Sequence, residues 1–424
     1  MIWFLLYNLF ILPILFFIAI IMSLFNNKIR SGLLGRFNTY LILKDFMLLH
    51  KKSKDIYWLH AASLGEYEQI KPVLSGLKEI EPNLISIVSF FSPSGYKYVD
   101  DSNIDCKVYL PFDFPWLVKR CLKIVKPKKV ILAAYDVWPN FIWYAKKMNI
   151  HTTLFAAHFS KSTYKLLPLI RNFYANVYGH ISAIYTISET DSTLLKKILD
   201  KPIKPVLRVL GNPRYDEVKF KADNFTIERT ESVLLRSKTL LVGSAHFEDQ
   251  NIILEAIVSL MNEIKELSLI WVYHAPNESN LMSINTFFES KKISVELLGD
   301  KEANEIASRV CLVDKIGVLS QLYWHAQMAY VGGGFSSGVH NVMEPAIARL
   351  PIFFGPRYSN SHEAEELIKD GGGFSINSGK DLCLGIKKLF NDKSFFIDSS
   401  YASTDVIHRN LGSSTRVVRN IIHD

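Results

Sequence analysis

From residue 56 onward, short β-type apolar runs alternate with helical patterns. This alternation constrains the fold more than any other feature, because it is the signature of parallel sheets joined by crossover helices. Strands are expected at IYWLHAA (56–62), LISIVSF (84–90), KVILAAY (129–135), HTTLFAA (151–157), AIYTI (183–187) and VLRVL (206–210). A second series follows at TLLVGSA (239–245), SLIWVYHA (268–275), RVCLVD (309–314), MAYVGGG (328–334) and PIFFGP (351–356). Residues 216–238 between the series are polar and show no clear strand, which reads as a linker. The expected class is α/β, with two Rossmann-like domains over 28–215 and 239–424 facing one cleft. A membrane-anchor helix over 1–27 precedes them, and the last helix is expected to pack back on the N-terminal domain.

Residues 1–27 hold no charged side chain and supply the roughly 20 apolar residues that a bilayer crossing needs. No basic residue precedes the run and no small-residue cleavage site follows, so a retained anchor is expected rather than a removable signal peptide. Asn8 and Pro13 interrupt the run and leave open a helix that lies in the interface without crossing it. The chain's net charge of +8 is concentrated just beyond: Lys28, Arg30, Arg36, Lys44, Lys51, Lys52 and Lys54 against Asp45 give +6 within 28–54. The basicity therefore points to a membrane surface and not to nucleic acid, and the positive-inside rule puts the bulk of the chain in the cytoplasm. Leu41, Ile42, Phe46, Met47, Leu48 and Leu49 suggest an additional interfacial helix. The four cysteines form no C-x-x-C pair and read as small buried hydrophobes.

The segment Gly332 to Pro356, GGGFSSGVHNVMEPAIARLPIFFGP, combines a glycine-rich strand exit, a polar helix start and a second strand ending in Gly-Pro. Gly333 and Gly334 allow close backbone approach to a ligand, and His340, Asn341 and Glu344 are expected to open a helix whose free N–H groups favour a phosphate. A carboxylate one turn in can hold ribose hydroxyls. In WLHAASLGEYEQIKPVLSGL, Ser63, Gly65 and Glu66 follow a strand and precede a helix, so Glu66 could act as a general base. It could equally be a helix N-terminal acid that complements the dipole. His60 is read as a core or hydrogen-bonded histidine. Further candidates past strand ends are Asp136, Asn140, His158, Ser160, Asn212, Arg214, Ser244, His246 and His274. Arg214, permanently cationic, suits a developing phosphate charge. No D-x-D pair occurs, so a metal-bound diphosphate has no obvious ligands and no metal is expected.

These motifs resemble, in order, those of the 3-deoxy-D-manno-octulosonic acid (Kdo) transferases. HAASLGE (60–66) is similar to the family's H-x-x-S-x-G-E. VWPN (137–140), GNPRYD (211–216), GSAHFED (243–249), DKIGVLSQLY (314–323) and GGGFSSGVHNVMEPA (332–346) follow in the family's order. The resemblance implies a GT-B fold, no cofactor, and metal-independent inverting transfer of Kdo from CMP-Kdo to a lipid A precursor (lipid IVA) at the cytoplasmic face of the inner membrane. It implies Glu66 as the base and Arg214 in place of a transition-state lysine. CMP contacts would come from Tyr273, His274, Ile316, Gly317, Val318, Asn341, Val342, Met343 and Glu344. The chain departs from the family at Ala134, where many members carry a glutamate, and at Asp136, the second acid position. It departs again at Tyr273-His274-Ala275-Pro276, where Pro-Arg-His-Pro is usual, at Val318 for a glutamate, and at His158 for an arginine. Another GT-B enzyme using a UDP-sugar, or a catalytically weakened lipid or nucleotide binder, are the alternative readings.

Overall fold

The strand runs assemble into two all-parallel seven-stranded sheets. The computed structural model describes residues 2–50, 55–159, 163–199, 205–224, 233–301 and 305–424. One sheet holds β1 (Ile56–Ala61), β2 (Ile85–Phe90), β3 (Cys106–Tyr109), β4 (Lys129–Ala133), β5 (His151–Ala157), β6 (Ala183–Thr186) and β7 (Val206–Val209), in the order β3-β2-β1-β4-β5-β6-β7. The other holds β8 (Thr239–Ala245), β9 (Ser268–Tyr273), β10 (Val295–Leu297), β11 (Val310–Val313), β12 (Met328–Val331), β13 (Ile352–Phe354) and β14 (Gly373–Ser375), in the order β10-β11-β9-β8-β12-β13-β14. β1, β2 and β4 are buried along their whole length, as strands covered by helices on both faces must be. The fold class is α/β of the GT-B type.

The chain divides into two units, 1–217 with 412–424, and 218–411. The segment expected as a linker is partly helical: Arg214–Asn224 is a helix and Val233–Leu235 a 3₁₀ turn. The C-terminal helix Ser413–His423 belongs to the first unit. Its Val417, Val418 and Ile421 pack with Tyr67, Ile70 and Leu74 in one buried cluster. Asp216 fixes its start by accepting from the Gly412 and Ser414 N–H groups, both at 2.6 Å.

The N-terminal apolar run is one helix, Ile2–Phe25, of 24 residues. Pro13 has no N–H for the ladder, and just before it the helix widens into a π turn at Tyr7–Ile11, where the Leu12 N–H reaches back to Tyr7 O. One side of this helix is committed to the first unit. Trp3 and Tyr7 pack on Phe173, and Phe4 packs on Trp143. Further along, Phe16 meets Phe112 and Phe114 at ring separations of 5.3 and 5.1 Å. Tyr7 donates to Asp113 Oδ2 at 2.9 Å. The opposite side exposes Phe10, Ile14, Phe17, Ile21 and Leu24.

The basic flank is thinner than its sequence implies. Arg36 is buried, donating to the Gly32 and Phe91 carbonyls with its guanidinium 4.2 Å from the Phe91 ring centroid. It is therefore withdrawn from any membrane surface, whereas Lys28, Arg30 and Lys44 are exposed. Lys51, Lys52 and Lys54 lie outside the described residues. The helix Thr39–Leu49 spends Ile42, Leu43, Phe46 and Met47 on the core of the first unit, leaving only Leu41, Leu48 and Leu49 of the expected interfacial set exposed.

Candidate functional site

In the first sheet β1 and β4 are neighbours, but the chain continues from β1 to β2 on one side and from β4 to β5 on the other. Ligands bind outside the strand C-termini at such a switch point. Both strand exits carry candidate residues. After β1, Ser63 is the N-cap of the helix Leu64–Ile80, accepting from Gly65 N–H at 3.2 Å, and its hydroxyl donates to the Glu66 carboxylate. Glu66 thus lies on the first helical turn, where an acid complements the helix dipole, and it remains half-exposed. A Cβ on Gly65 would find only Ser63 Oγ, at 3.6 Å, so nothing in the protein requires glycine there. After β4, Ala134 takes a left-handed backbone with φ 61°, which costs on the order of 1 kcal/mol for a residue with a Cβ. The strand thus turns sharply into Tyr135, whose hydroxyl reaches Glu66, and Asp136.

Asp136 is held from below. His60 is fully buried, with Nε2 2.9 Å from Asp136 Oδ2 and Nδ1 3.0 Å from the Ser89 carbonyl and hydroxyl. His158 pairs with buried Asp191 at 3.0 Å. Burial opposes ionisation of Asp191, but His158, Ser188 and the Phe159 N–H outweigh it and hold the carboxyl below its ordinary range. Arg214 starts the helix Arg214–Asn224, its N–H donating to Asn212 Oδ1 at 3.1 Å, and is half-exposed. Asn140 and Asn212 are both buried. Asn140 is consumed by Asn8 and Asp113, which makes it a structural residue. Ser160 lies outside the described residues.

The second sheet has its own switch point between β8 and β12. β8 leaves through Ser244, at φ 53°, and His246, the N-cap of the helix Phe247–Glu263. Asp249, buried, accepts from His246 N–H at 2.9 Å, Gly333 N–H at 2.8 Å and the Tyr330 hydroxyl at 2.7 Å, tying the two strand exits together. Asp249 was not singled out from sequence, although its place three residues after His246 is the capping-box spacing.

The glycine run serves the chain itself. A Cβ on Gly332 would come within 2.3 Å of Ser244 O, and one on Gly334 within 2.5 Å of Gly355 N, so two strand exits pass backbone against backbone. Gly333 has φ 90°. His340 and Asn341 lie before the helix rather than in it, because the helix spans only Met343–Ile347, with Asn341 Oδ1 accepting from Met343 N–H. Five residues make a weak dipole, so phosphate attraction by this helix start is smaller than expected. Val342 and Met343 are buried and can offer a ligand only their backbone, while Asn341 and Glu344 are half-exposed. The Tyr273 side chain likewise points inward, donating to Gln250 Oε1 at 2.5 Å, and burial pushes its hydroxyl up to about 12. His274 is exposed. Ile316 is 84% exposed, Gly317 has φ 93°, and Val318 is the N-cap of a short helix at Leu319–Leu322.

Residues 36–217 match the family profile described as 3-deoxy-D-manno-octulosonic-acid transferase (kdotransferase). A 3-deoxy-D-manno-octulosonic acid transferase of Aquifex aeolicus is 26% identical over 361 residues, spanning 81% of this chain and 88% of that protein. One of Haemophilus influenzae is 25% identical and covers 85% of each. Among solved structures, the UDP-GlcNAc 2-epimerase of Neisseria meningitidis bound to UDP-GlcNAc superposes with a TM-score of 0.62 over 88% of this chain and 100% of its own, at 13% identity, and shares the fold. With two parallel sheets, strand-exit motifs in the family's order and relatives matched over most of its length, the chain is a glycosyltransferase of the GT-B fold that is similar, across both units, to the 3-deoxy-D-manno-octulosonic acid transferases.

Proposed function

We propose that the protein transfers Kdo from CMP-Kdo to a hydroxyl of a lipid A precursor, lipid IVA in the simplest case, with inversion at the anomeric carbon. The observation that carries this reading is Glu66, half-exposed on the first helical turn after β1, at the switch point of the first sheet, and oriented by the Ser63 hydroxyl. Its carboxylate takes the acceptor hydroxyl's proton as that oxygen bonds to the anomeric carbon. The bond from that carbon to the phosphate oxygen breaks, and CMP leaves with the electron pair. A single displacement of this kind inverts configuration. Arg214 offers a permanent charge for the transition state. The exits of β8, β9 and β12 are read as the nucleotide side, with Asn341 and Glu344 offering polar groups there.

The N-terminal helix supports attachment to a membrane, which for this acceptor is the cytoplasmic face of the inner membrane. Its packing from Trp3 to Phe16 against the first unit favours a helix lying in the interface over one crossing the bilayer. Phe10, Ile14, Phe17 and Ile21 would enter lipid, and Lys28 and Lys44 would face anionic headgroups.

Nucleotide choice tests the donor assignment. CMP is expected to raise the melting temperature of the purified protein while UDP leaves it unchanged. Stabilisation by UDP and not by CMP would shift the reading to a UDP-sugar enzyme.

A further inference from the structure

We propose that His246, His274 and His340 form a binding site for a divalent transition-metal ion of the zinc class. Three adjacent strands, β9, β8 and β12, occupy the middle of the second sheet; His274 and His246 directly follow β9 and β8, and His340 follows the glycine turn that leaves β12. The three residues present ring nitrogens that all lie within 4.8 Å of one another. His246 Nε2 and His340 Nε2 are 2.7 Å apart, and the three rings are near-parallel with centroids 4.3 to 4.9 Å apart. Among the described residues this is the one group of three or more histidine, cysteine or acidic side chains so arranged.

Charge separates an ion site from an anion site here. Two ring nitrogens at 2.7 Å have room for one proton between them, not two. With a single proton shared between them, one of the two nitrogens presents a lone pair. Neutral imidazole is the metal-ligating form. Three histidines leave a fourth position of a tetrahedral site open, the arrangement of zinc sites that take water or an anionic oxygen as the last ligand. An ion at zinc–nitrogen distances of ~2.0–2.1 Å sets ligand nitrogens roughly 3.3 Å apart, so the 2.7 Å pair has to open by about half an ångström.

The backbone already positions all three ligands. Asp249 holds His246 and the glycine turn together, His340 N–H donates to Gly332 O at 3.1 Å, and His274 N–H donates to Ala245 O at 3.0 Å. His274 also stands where the family resemblance places an arginine. A bound dication would return positive charge to that position, in departure from the metal-independent chemistry the resemblance implies.

The test uses untagged, chelator-stripped protein titrated with Zn²⁺ by calorimetry and with Co²⁺ by visible absorption, without donor or acceptor, so its outcome is separate from the transfer reaction. One equivalent of Zn²⁺ per chain and the intense visible bands of four-coordinate Co²⁺ are expected. His340→Gln and His274→Arg, each checked for an unchanged melting temperature, should weaken binding at least ~10–100-fold. Absence of saturable binding in the wild type, or binding undiminished in both folded variants, overturns the site.

Discussion

The side-chain amides of Asn8 and Asn140 hydrogen-bond to each other in both directions: Asn8 Nδ2 donates to Asn140 Oδ1 at 3.0 Å, and Asn140 Nδ2 to Asn8 Oδ1 at 2.8 Å. One partner sits in the apolar N-terminal helix and the other starts the helix Pro139–Lys147, fully buried. The polar residue that interrupts an otherwise lipid-like run is thus an internal latch. Asn8→Leu makes the helix more apolar, so a free membrane span would tolerate or welcome it. The docked helix predicts the opposite: a loss of about 1–3 kcal/mol from the buried Asn140 Oδ1 left without its donor, read as a lower urea midpoint of the detergent-solubilised protein. An unchanged midpoint would argue for an undocked helix.

Beside this latch, burial pushes the Asp113 carboxyl up to about 7, against the pull of donors from Asn140, Tyr7 and Phe141. The unfolded chain releases the same proton near ~4. Between these values the folded state binds more protons than the unfolded one, so stability is full below the lower value and falls as pH rises through the upper. The contribution lost is on the order of 4 kcal/mol. Urea midpoints measured from pH 5 to pH 8 should decline in the wild type, and the decline should flatten in Asp113→Asn. Equal slopes in the two proteins would contradict the assignment.

Gly65→Ala separates function from stability by sign. The site has room for a Cβ, and alanine stabilises a helix by roughly 0.5–1 kcal/mol over glycine, so the melting temperature should hold or rise. Next to Glu66 the added methyl intrudes on the acceptor side, and kcat/KM should fall at least tenfold. Full activity would place the acceptor elsewhere.

The central strands were legible because residues buried on both faces must be continuously apolar, as in β1, β8 and β12. β3, β10 and β14 were missed, and each is an edge strand of three or four residues with less apolar sequence to show. Motif positions carried over as positions but not as roles. Ser63 and Glu66 share a helix start as their spacing implies, whereas Asn140, Val342, Met343 and the Tyr273 side chain turn into the interior. The Tyr7–Asp113 bond joins residues 106 apart, and the three-histidine cluster draws on residues 28 to 94 apart in the chain, distances over which no local pattern acts. The glycine run illustrates a different limit, because a demand for small residues looks the same in sequence whether a ligand or the chain's own backbone makes it.

The most direct test of Kdo transfer is mass spectrometry of lipid A precursor incubated with CMP-Kdo and membranes containing the wild-type protein or Glu66→Ala. The account predicts product masses raised by whole Kdo units with the wild type and unshifted acceptor with Glu66→Ala, although the variant is still stabilised by CMP. An unshifted acceptor with the wild type, or equal product from both proteins, would contradict it.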